Sequence, residues 1–218
     1  MNNDQVLADT AEALGPADAM GIIRDGKARA RTASTTMSRL MMAIWGMAWL
    51  IGYGCMWLGS RSSGGQTTVW AYAVFFTLLV LAAVTSTAAG VRASRREGIV
   101  GPTATAGALY GWSWFVAFAG GMAIAGLLVA RYGLTGAVIA VLFNSLAALI
   151  VGALYMAGAA VFREPAMFVI GGVFVALGVL GTVVGVPAGF LVMALAGGGL
   201  MLVGVVVETL RAHRSVEP

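Results

Sequence analysis

The stretch IWGMAWLIGYGCMWLG, residues 44–59, contains no charged residue and carries an aromatic ring at every fourth position. The rings belong to Trp45, Trp49, Tyr53 and Trp57. Four residues advance an α-helix by about 40° beyond one full turn, so these rings share one broad face. The stretch lies within a longer uncharged run, residues 40–60. Because a membrane-spanning helix needs about 20 apolar residues, this run predicts one span.

Clusters of charged residues divide the rest of the chain into similar runs. Between Leu40 and Val207 only eight charged residues occur, in four short clusters. The uncharged runs are residues 40–60, 62–91, 98–130, 132–162 and 165–207. Each of the first four runs has the length of a single span, whereas the last, with 43 residues, is too long for one.

The sequence GTVVGVPAG, residues 181–189, divides this last run in two. Glycine is unfavourable inside a helix, and Pro187 suits the first turn of a new helix. Six spans are therefore predicted. Their expected bounds are about 40–60, 68–90, 107–129, 135–161, 166–184 and 187–208.

The composition agrees with an all-α polytopic membrane protein, a six-transmembrane-helix bundle in contact with the lipid bilayer. Hydrophobic residues make up 60% of the 218 residues and charged residues only 10%. Soluble globular domains carry about 25% charged residues. We expect three parts: a polar, amphipathic cytoplasmic segment (1–38), the transmembrane domain (39–210) and a cytoplasmic tail (211–218).

The bases predict the orientation of the bundle. With the N-terminus inside, eleven of the thirteen bases fall on the cytoplasmic side, and only Arg61 and Arg131 fall outside. This positive-inside bias places both termini in the cytoplasm. The basic residues thus flank the spans and do not indicate nucleic-acid binding. Twelve of the thirteen bases are arginine, and this composition indicates a high-GC bacterial genome and hence the cell inner membrane.

Two aromatic residues of the first span lie deep in the predicted membrane. Trp49 and Tyr53 lie about 13 and 20 Å beyond Leu40, whereas aromatic belts occupy the ends of spans. A buried indole N–H or phenol O–H requires a hydrogen-bond partner, so these rings are expected to face other helices or a wet cavity. Two interpretations remain open: rings packed over glycines of another helix, or a pocket for a lipophilic or cationic small molecule.

The third span repeats this pattern. The sequence YGWSW (110–114) matches WGMAW (45–49) in its aromatic, glycine, small and tryptophan positions, and it contains Trp112 and Trp114. Looser similarities occur in spans four and six. They suggest three tandem two-helix hairpins, because membrane transporters often contain internal repeats.

The predicted spans contain no Asp, Glu, Lys, Arg or His well inside the membrane. Ion-coupled transport usually requires such a residue, and intramembrane acid–base or metal chemistry requires carboxylates or metal ligands. We therefore expect no enzymatic activity, no metal and no cofactor. The amide of Asn144, about 14 Å into span four, must face the bundle. It either fixes helix register through a hydrogen bond or contacts a substrate or water.

Three motifs carry a resemblance to known proteins: WGMAWLIGYG (45–54), YGWSW (110–114) and LVMALAGGG (191–199). With them the chain resembles a group of six-span integral membrane proteins from high-GC Gram-positive bacteria, some of which are labelled as transporters. The resemblance implies the six-span fold over nearly the whole chain. It implies no activity, ligand or catalytic residue.

The leading hypothesis is a small non-enzymatic transporter or permease-like component for an apolar or amphipathic compound. It would act as a homo-oligomer or with a partner protein. Its expected substrate-binding residues are Trp49, Tyr53, Trp112, Trp114 and Asn144. The alternative is a membrane-embedded interaction or sensor protein whose N-terminal segment docks a cytoplasmic partner.

Overall fold

In the computed structural model, which describes residues 15–64, 66–97 and 102–214, every regular element is helical. The first five helices are α1 (Pro16–Ser62), α2 (Val69–Glu97), α3 (Pro102–Tyr132), α4 (Ala137–Phe162) and α5 (Pro165–Val184). The chain continues through α6 (Ala188–Val192), a π-helical segment (Met193–Gly199) and α7 (Leu200–Arg214). These last three elements follow one another directly and are called the sixth helix below.

The described residues contain six helices that are long and apolar enough to cross a membrane. The apolar parts are Thr36–Ser62, Val69–Ala93, Thr105–Tyr132, Ala137–Phe162, Pro165–Val184 and Ala188–Leu210. The predicted all-helical architecture with six such helices is confirmed. These features indicate a multi-pass membrane protein.

The predicted break in the last uncharged run is also confirmed. Helix α5 ends at Val184, and Gly185 follows with a φ of 67°, a left-handed value that glycine adopts without strain. The Val186–Pro187 peptide bond is cis, and the next helix begins at Ala188. A similarly short turn joins α4 to α5, where Pro165 occupies the first turn of α5.

The helices extend further than the apolar runs predict. The base distribution predicts an inner loop between the second and third spans, residues 92–105, but this segment is helical as far as Glu97 and again from Pro102. Helix α1 begins at Pro16 and continues without a break into its apolar part. Alanine and arginine favour helix, so a helix does not have to end where its apolar residues end. Residues 1–14, 98–101 and 215–218, which belong to the predicted N-terminal segment, inner loop and tail, lie outside the described residues.

The chain divides into two compact units, residues 1–41 and residues 42–218. In the first unit, the described residues form the beginning of α1. The second unit contains the helical bundle, and the contacts below all lie within it.

Two antiparallel helices, α4 and α5, touch through their backbones. A Cβ atom placed on Gly152 would lie 2.6 Å from the carbonyl oxygen of Gly171, and one on Gly171 would lie 2.5 Å from that of Gly152. Further along the pair, Gly178 faces Ala148 and Gly181 faces Asn144. In lipid, helices are held together largely by van der Waals packing, and small residues allow the closest approach.

A second backbone contact joins α1 to the sixth helix. A Cβ atom on Gly46 would lie 3.1 Å from the carbonyl oxygen of Gly198, and one on Gly198 would lie 2.8 Å from that of Gly46. Gly198 belongs to the π-helical segment, whose neighbouring residues Met193, Ala194 and Gly197 are also buried. The Gly-rich end of LVMALAGGG thus lies against the first span.

Helices α2 and α3 are peripheral. In an 18-residue apolar stretch of each, only 6% of the residues are buried, compared with 33% in such a stretch of α1. Helix α2 packs on α1, where Gly52 faces Phe75, and α3 packs on α4, where Gly121 faces Ile150. The arrangement in three tandem hairpins stays a prediction, because α4 and α5 of different predicted hairpins are also in close contact.

The α4–α5 contact yields a test that uses two adjacent glycines. We predict that Gly171→Ala lowers the free energy of unfolding by about 1–3 kcal/mol, because its methyl group would overlap the backbone of α4. The control is Gly172→Ala, where no atom lies within 4 Å of the added methyl group. It should leave stability unchanged or slightly raised, since alanine favours helix. Thermal unfolding of both variants in detergent measures the difference, and equal melting temperatures would contradict the α4–α5 contact.

Candidate functional site

Trp49 lies at the centre of the bundle with 6% of its surface exposed. Its ring meets the ring of Tyr53 edge-on at 5.4 Å and the ring of Phe174 in α5 edge-on at 5.1 Å. A Cβ atom on Gly197 of the sixth helix would lie 2.7 Å from Cε3 of the indole. The interpretation of rings packed over glycines of another helix therefore describes the observed contact of Trp49.

Tyr53 continues the packing toward the end of α1. It is 4% exposed, and its ring lies 4.8 Å from the ring of Phe75 in α2 and 6.2 Å from that of Phe190 in the sixth helix. Phe75 in turn covers Gly52, where a Cβ atom would lie 2.8 Å from the phenyl ring. Tyr53 thus contacts aromatic side chains of two other helices.

The aromatic residues of α3 join this packing through two intermediate rings. Trp114 lies 5.8 Å from Tyr155 of α4, and Tyr155 lies 5.8 Å from Phe174. At the other side Trp114 contacts Tyr110, which contacts Phe162 at the end of α4. The aromatic chain, as we name it, consists of Phe162, Tyr110, Trp114, Tyr155, Phe174, Trp49, Tyr53 and Phe75.

The aromatic chain runs from the end of α4 into the interior of the bundle. Phe162 is the last residue of α4, whereas Phe75, six residues after the beginning of α2, packs against Tyr53. Sequence reasoning missed Tyr155 and Phe174 as the links. The available signal was an aromatic residue close to glycines in each of the two helices, Tyr155 between Gly152 and Gly158 and Phe174 between Gly172 and Gly178, since a ring beside small residues has space to pack against a neighbouring helix.

Trp112 does not join the other predicted site residues. It is 66% exposed, and its ring contacts that of Phe115 on the same helix at 5.7 Å. Two residues along a helix turn by about 200°, so Trp112 and Trp114 point to nearly opposite sides of α3. The predicted grouping of both tryptophans at one site is therefore not found.

Asn144 of α4 faces the end of α5. Its Nδ2 atom would be 3.4 Å from a Cβ on Gly181, three residues before α5 ends. The carbonyl oxygen of Gly181 accepts a hydrogen bond from the Gly185 N–H at 3.1 Å and contacts Gly189. Asn144 is therefore close to the α5–α6 turn and lies outside the ring contacts of the aromatic chain.

Hydroxyl groups of the second and third spans that could in principle bind Asn144 have other partners. Thr85 donates to the Leu81 carbonyl at 2.6 Å, and Ser113 donates to the Tyr110 carbonyl at 2.7 Å. Ser86 accepts a hydrogen bond from the indole N–H of Trp45 at 2.9 Å. This last bond connects α1 with α2 and satisfies one tryptophan of the first span.

Among the described residues, buried polar atoms without a hydrogen-bond partner include Oγ1 of Thr68, just before α2 begins, and two atoms within the spans. The two within the spans are the indole Nε1 of Trp49 and the amide Oδ1 of Asn144. The first is a donor and the second an acceptor. In an apolar environment an unpaired polar group costs about 2–7 kcal/mol, so a group that arrives from outside and pairs with them would bind favourably.

No group of three His, Cys, Asp or Glu side chains that could hold a metal ion occurs within the described ranges 15–64, 66–97 and 102–214.

Comparisons of the chain with protein-family models, with curated proteins and with solved structures give no match. The resemblance to six-span membrane proteins of high-GC Gram-positive bacteria therefore stays an expectation that rests on the three sequence motifs.

Proposed function

We propose that this chain is a small non-enzymatic transporter or permease-like component for an apolar or amphipathic compound. The observation that carries the proposal is the pair of unpartnered polar atoms inside the bundle, Nε1 of Trp49 and Oδ1 of Asn144. Buried polar groups in membrane helices are normally paired, and an unpaired group calls for a specific explanation. A neutral or amphipathic cargo supplies one, because it can bring both an acceptor and a donor.

The aromatic chain supports the same proposal. Its rings follow one another at centroid distances of 4.8–6.2 Å from the end of α4 into the interior of the bundle. Aromatic faces bind apolar groups by dispersion and organic cations by their quadrupole. The predicted spans contain no Asp, Glu, Lys, Arg or His well inside the membrane, which favours an apolar cargo over a strongly charged one.

The cellular location and orientation that we propose rest on the distribution of the basic residues. We propose that both termini lie in the cytoplasm and that the protein resides in a bacterial inner membrane. The exposed apolar surfaces of α2 and α3, which include Trp112 at 66% exposure, fit contact with lipid or with another protein in the membrane. We further propose that the protein acts as a homo-oligomer or with a partner protein.

Asn144→Leu separates a functional amide from a structural one. Because Oδ1 has no partner, replacing the amide by an apolar side chain of similar volume should leave the melting temperature unchanged or raise it. The same variant should abolish transport. Accumulation of ethidium, an amphipathic cation, and of Nile red, a neutral apolar dye, is compared in cells that produce either form.

The control for this test is Ser113→Ala, since the Ser113 hydroxyl binds its own helix backbone. It should transport like the wild type. Unchanged dye accumulation by Asn144→Leu, or a clear fall in its melting temperature, would contradict a role of the amide in binding cargo.

A second function is favoured by one specific observation, the length of α1. The helix comprises 47 residues, of which the apolar part begins only at Thr36. Residues 16–35 therefore add about 30 Å of polar, base-rich helix before the span. A cytoplasmic partner protein could bind such a segment, as in the interaction or sensor hypothesis.

Deletion of residues 2–32 distinguishes the two functions. If the protein is a transporter, cells that produce the truncated form should accumulate the dyes to the same level as cells that produce the full-length form. The reason is that the deletion ends before the first apolar part, which begins at Thr36. An interaction protein should lose its phenotype while the bundle still folds. We expect the transporter outcome, measured as dye accumulation at matched protein levels. If the truncated form no longer affects dye accumulation, the result would instead favour the interaction hypothesis.

A further inference from the structure

A groove of about 300 Å³ lies between α4 and α5 on the face of the bundle that is turned away from its core. Its walls include Leu142, Ser145, Leu149, Val175, Val179 and Thr182. Leu149 is 51% exposed and Val179 is 61% exposed, so the groove opens away from the helical core. The volume equals about ten water-sized groups and lies at the lower end of the range for ligand pockets.

Two hydroxyl groups lie together in this otherwise apolar groove. The Oγ atom of Ser145 and the Oγ1 atom of Thr182 are hydrogen-bonded at 2.5 Å, and Thr182 also donates to the Gly178 carbonyl at 2.8 Å. A hydroxyl group has one hydrogen to donate. Since that of Thr182 goes to the backbone, Ser145 is the donor in the bond between the two side chains.

The hydroxyl pair therefore offers only acceptors to a molecule in the groove. Both hydrogens are used, whereas Ser145 Oγ keeps its lone pairs and Thr182 Oγ1 keeps one. Lipid acyl chains cannot donate a hydrogen bond to them. A molecule that complements the groove combines a short aliphatic chain with one hydrogen-bond donor at its head.

We propose that the α4–α5 groove binds a single-chain amphiphile whose head is a hydroxyl donor, a medium-chain alcohol in chemical class. The aliphatic chain lies along Leu142, Leu149 and Val179, and the head donates to the Ser145–Thr182 pair. This site deepens the proposed function and rests on it for one point, that the bound compound is cargo. Asn144 and Gly181, each adjacent in sequence to a member of the hydroxyl pair, lie on the inward side of the same helix contact.

Competitive photolabelling tests the binding without requiring transport. The purified full-length protein in detergent is labelled with decanol that carries a diazirine in its chain, and mass spectrometry locates the label. We expect the label on residues 142–149 and 175–182. Unlabelled decanol should compete about tenfold better than the isomeric methyl nonyl ether, which lacks the donor, since one hydrogen bond is worth about this factor.

This test uses a double variant and a control, and in both a threonine is replaced by valine, which has a similar shape but no hydroxyl group. The double variant, Thr182→Val with Ser145→Ala, removes the acceptors and should abolish the tenfold preference for decanol. Thr85→Val is the matched control, because Thr85 is also exposed and also donates to a backbone carbonyl four residues earlier. It should keep the preference.

The outcomes separate this proposal from the proposed function. Label spread evenly over the helices, equal competition by alcohol and ether, or a preference that survives in the double variant would each overturn the groove site. Specific labelling without any dye transport would support the groove and contradict the transporter. Dye transport without specific labelling would support the transporter and contradict the groove site.

Discussion

Backbone contact between helices at paired glycines is the constraint on which the rest of the bundle depends. Gly152 and Gly171 bring α4 against α5, and Gly46 and Gly198 bring α1 against the sixth helix. Lipid provides no hydrophobic drive for helix association, so the packing gained by close approach must supply the stability. These two contacts determine which side chains meet between α1, α5 and the sixth helix.

The aromatic rings occupy the space that the glycines leave. Trp49 packs over Gly197, and Phe174 and Tyr155 extend the contact to the rings of α3. The same geometry buries the indole nitrogen of Trp49 without a partner, while the neighbouring Trp45 reaches Ser86. In a bundle optimised for stability alone, the indole N–H of Trp49 would be hydrogen-bonded or replaced by an apolar group. Trp45 has a hydrogen-bond partner and Trp49 has none, and this difference motivates a binding role for Trp49.

Much of the fold could be predicted because charge and helix-breaking residues report directly on spans. Four charge clusters and Pro187 were sufficient for six helices, and the four-residue spacing of rings was sufficient for one aromatic face. Helix ends beyond the apolar runs, as at Glu97, could not be predicted, since polar helix and polar loop have similar compositions.

The partners of each ring depend on which glycines pair, and apolar sequences contain many glycines that could do so. For this reason Trp112 was grouped with Trp114, and Phe174 was missed. The hydroxyl groove depends equally on the register between α4 and α5, which places Ser145 beside Thr182.

The most direct test of the account is a double-mutant cycle between Trp49 and Gly197. Gly197→Leu alone should strongly destabilise the protein, because its side chain would overlap the indole ring, and Trp49→Ala alone leaves a cavity. Combined, the larger residue on the sixth helix fills the space vacated on α1. Unfolding measurements in detergent should therefore show the double variant to be more stable than Gly197→Leu alone, with a coupling free energy of about 1–3 kcal/mol. Additive losses of stability would show that this ring and this glycine do not meet, and would contradict the packing from which the proposed site is derived.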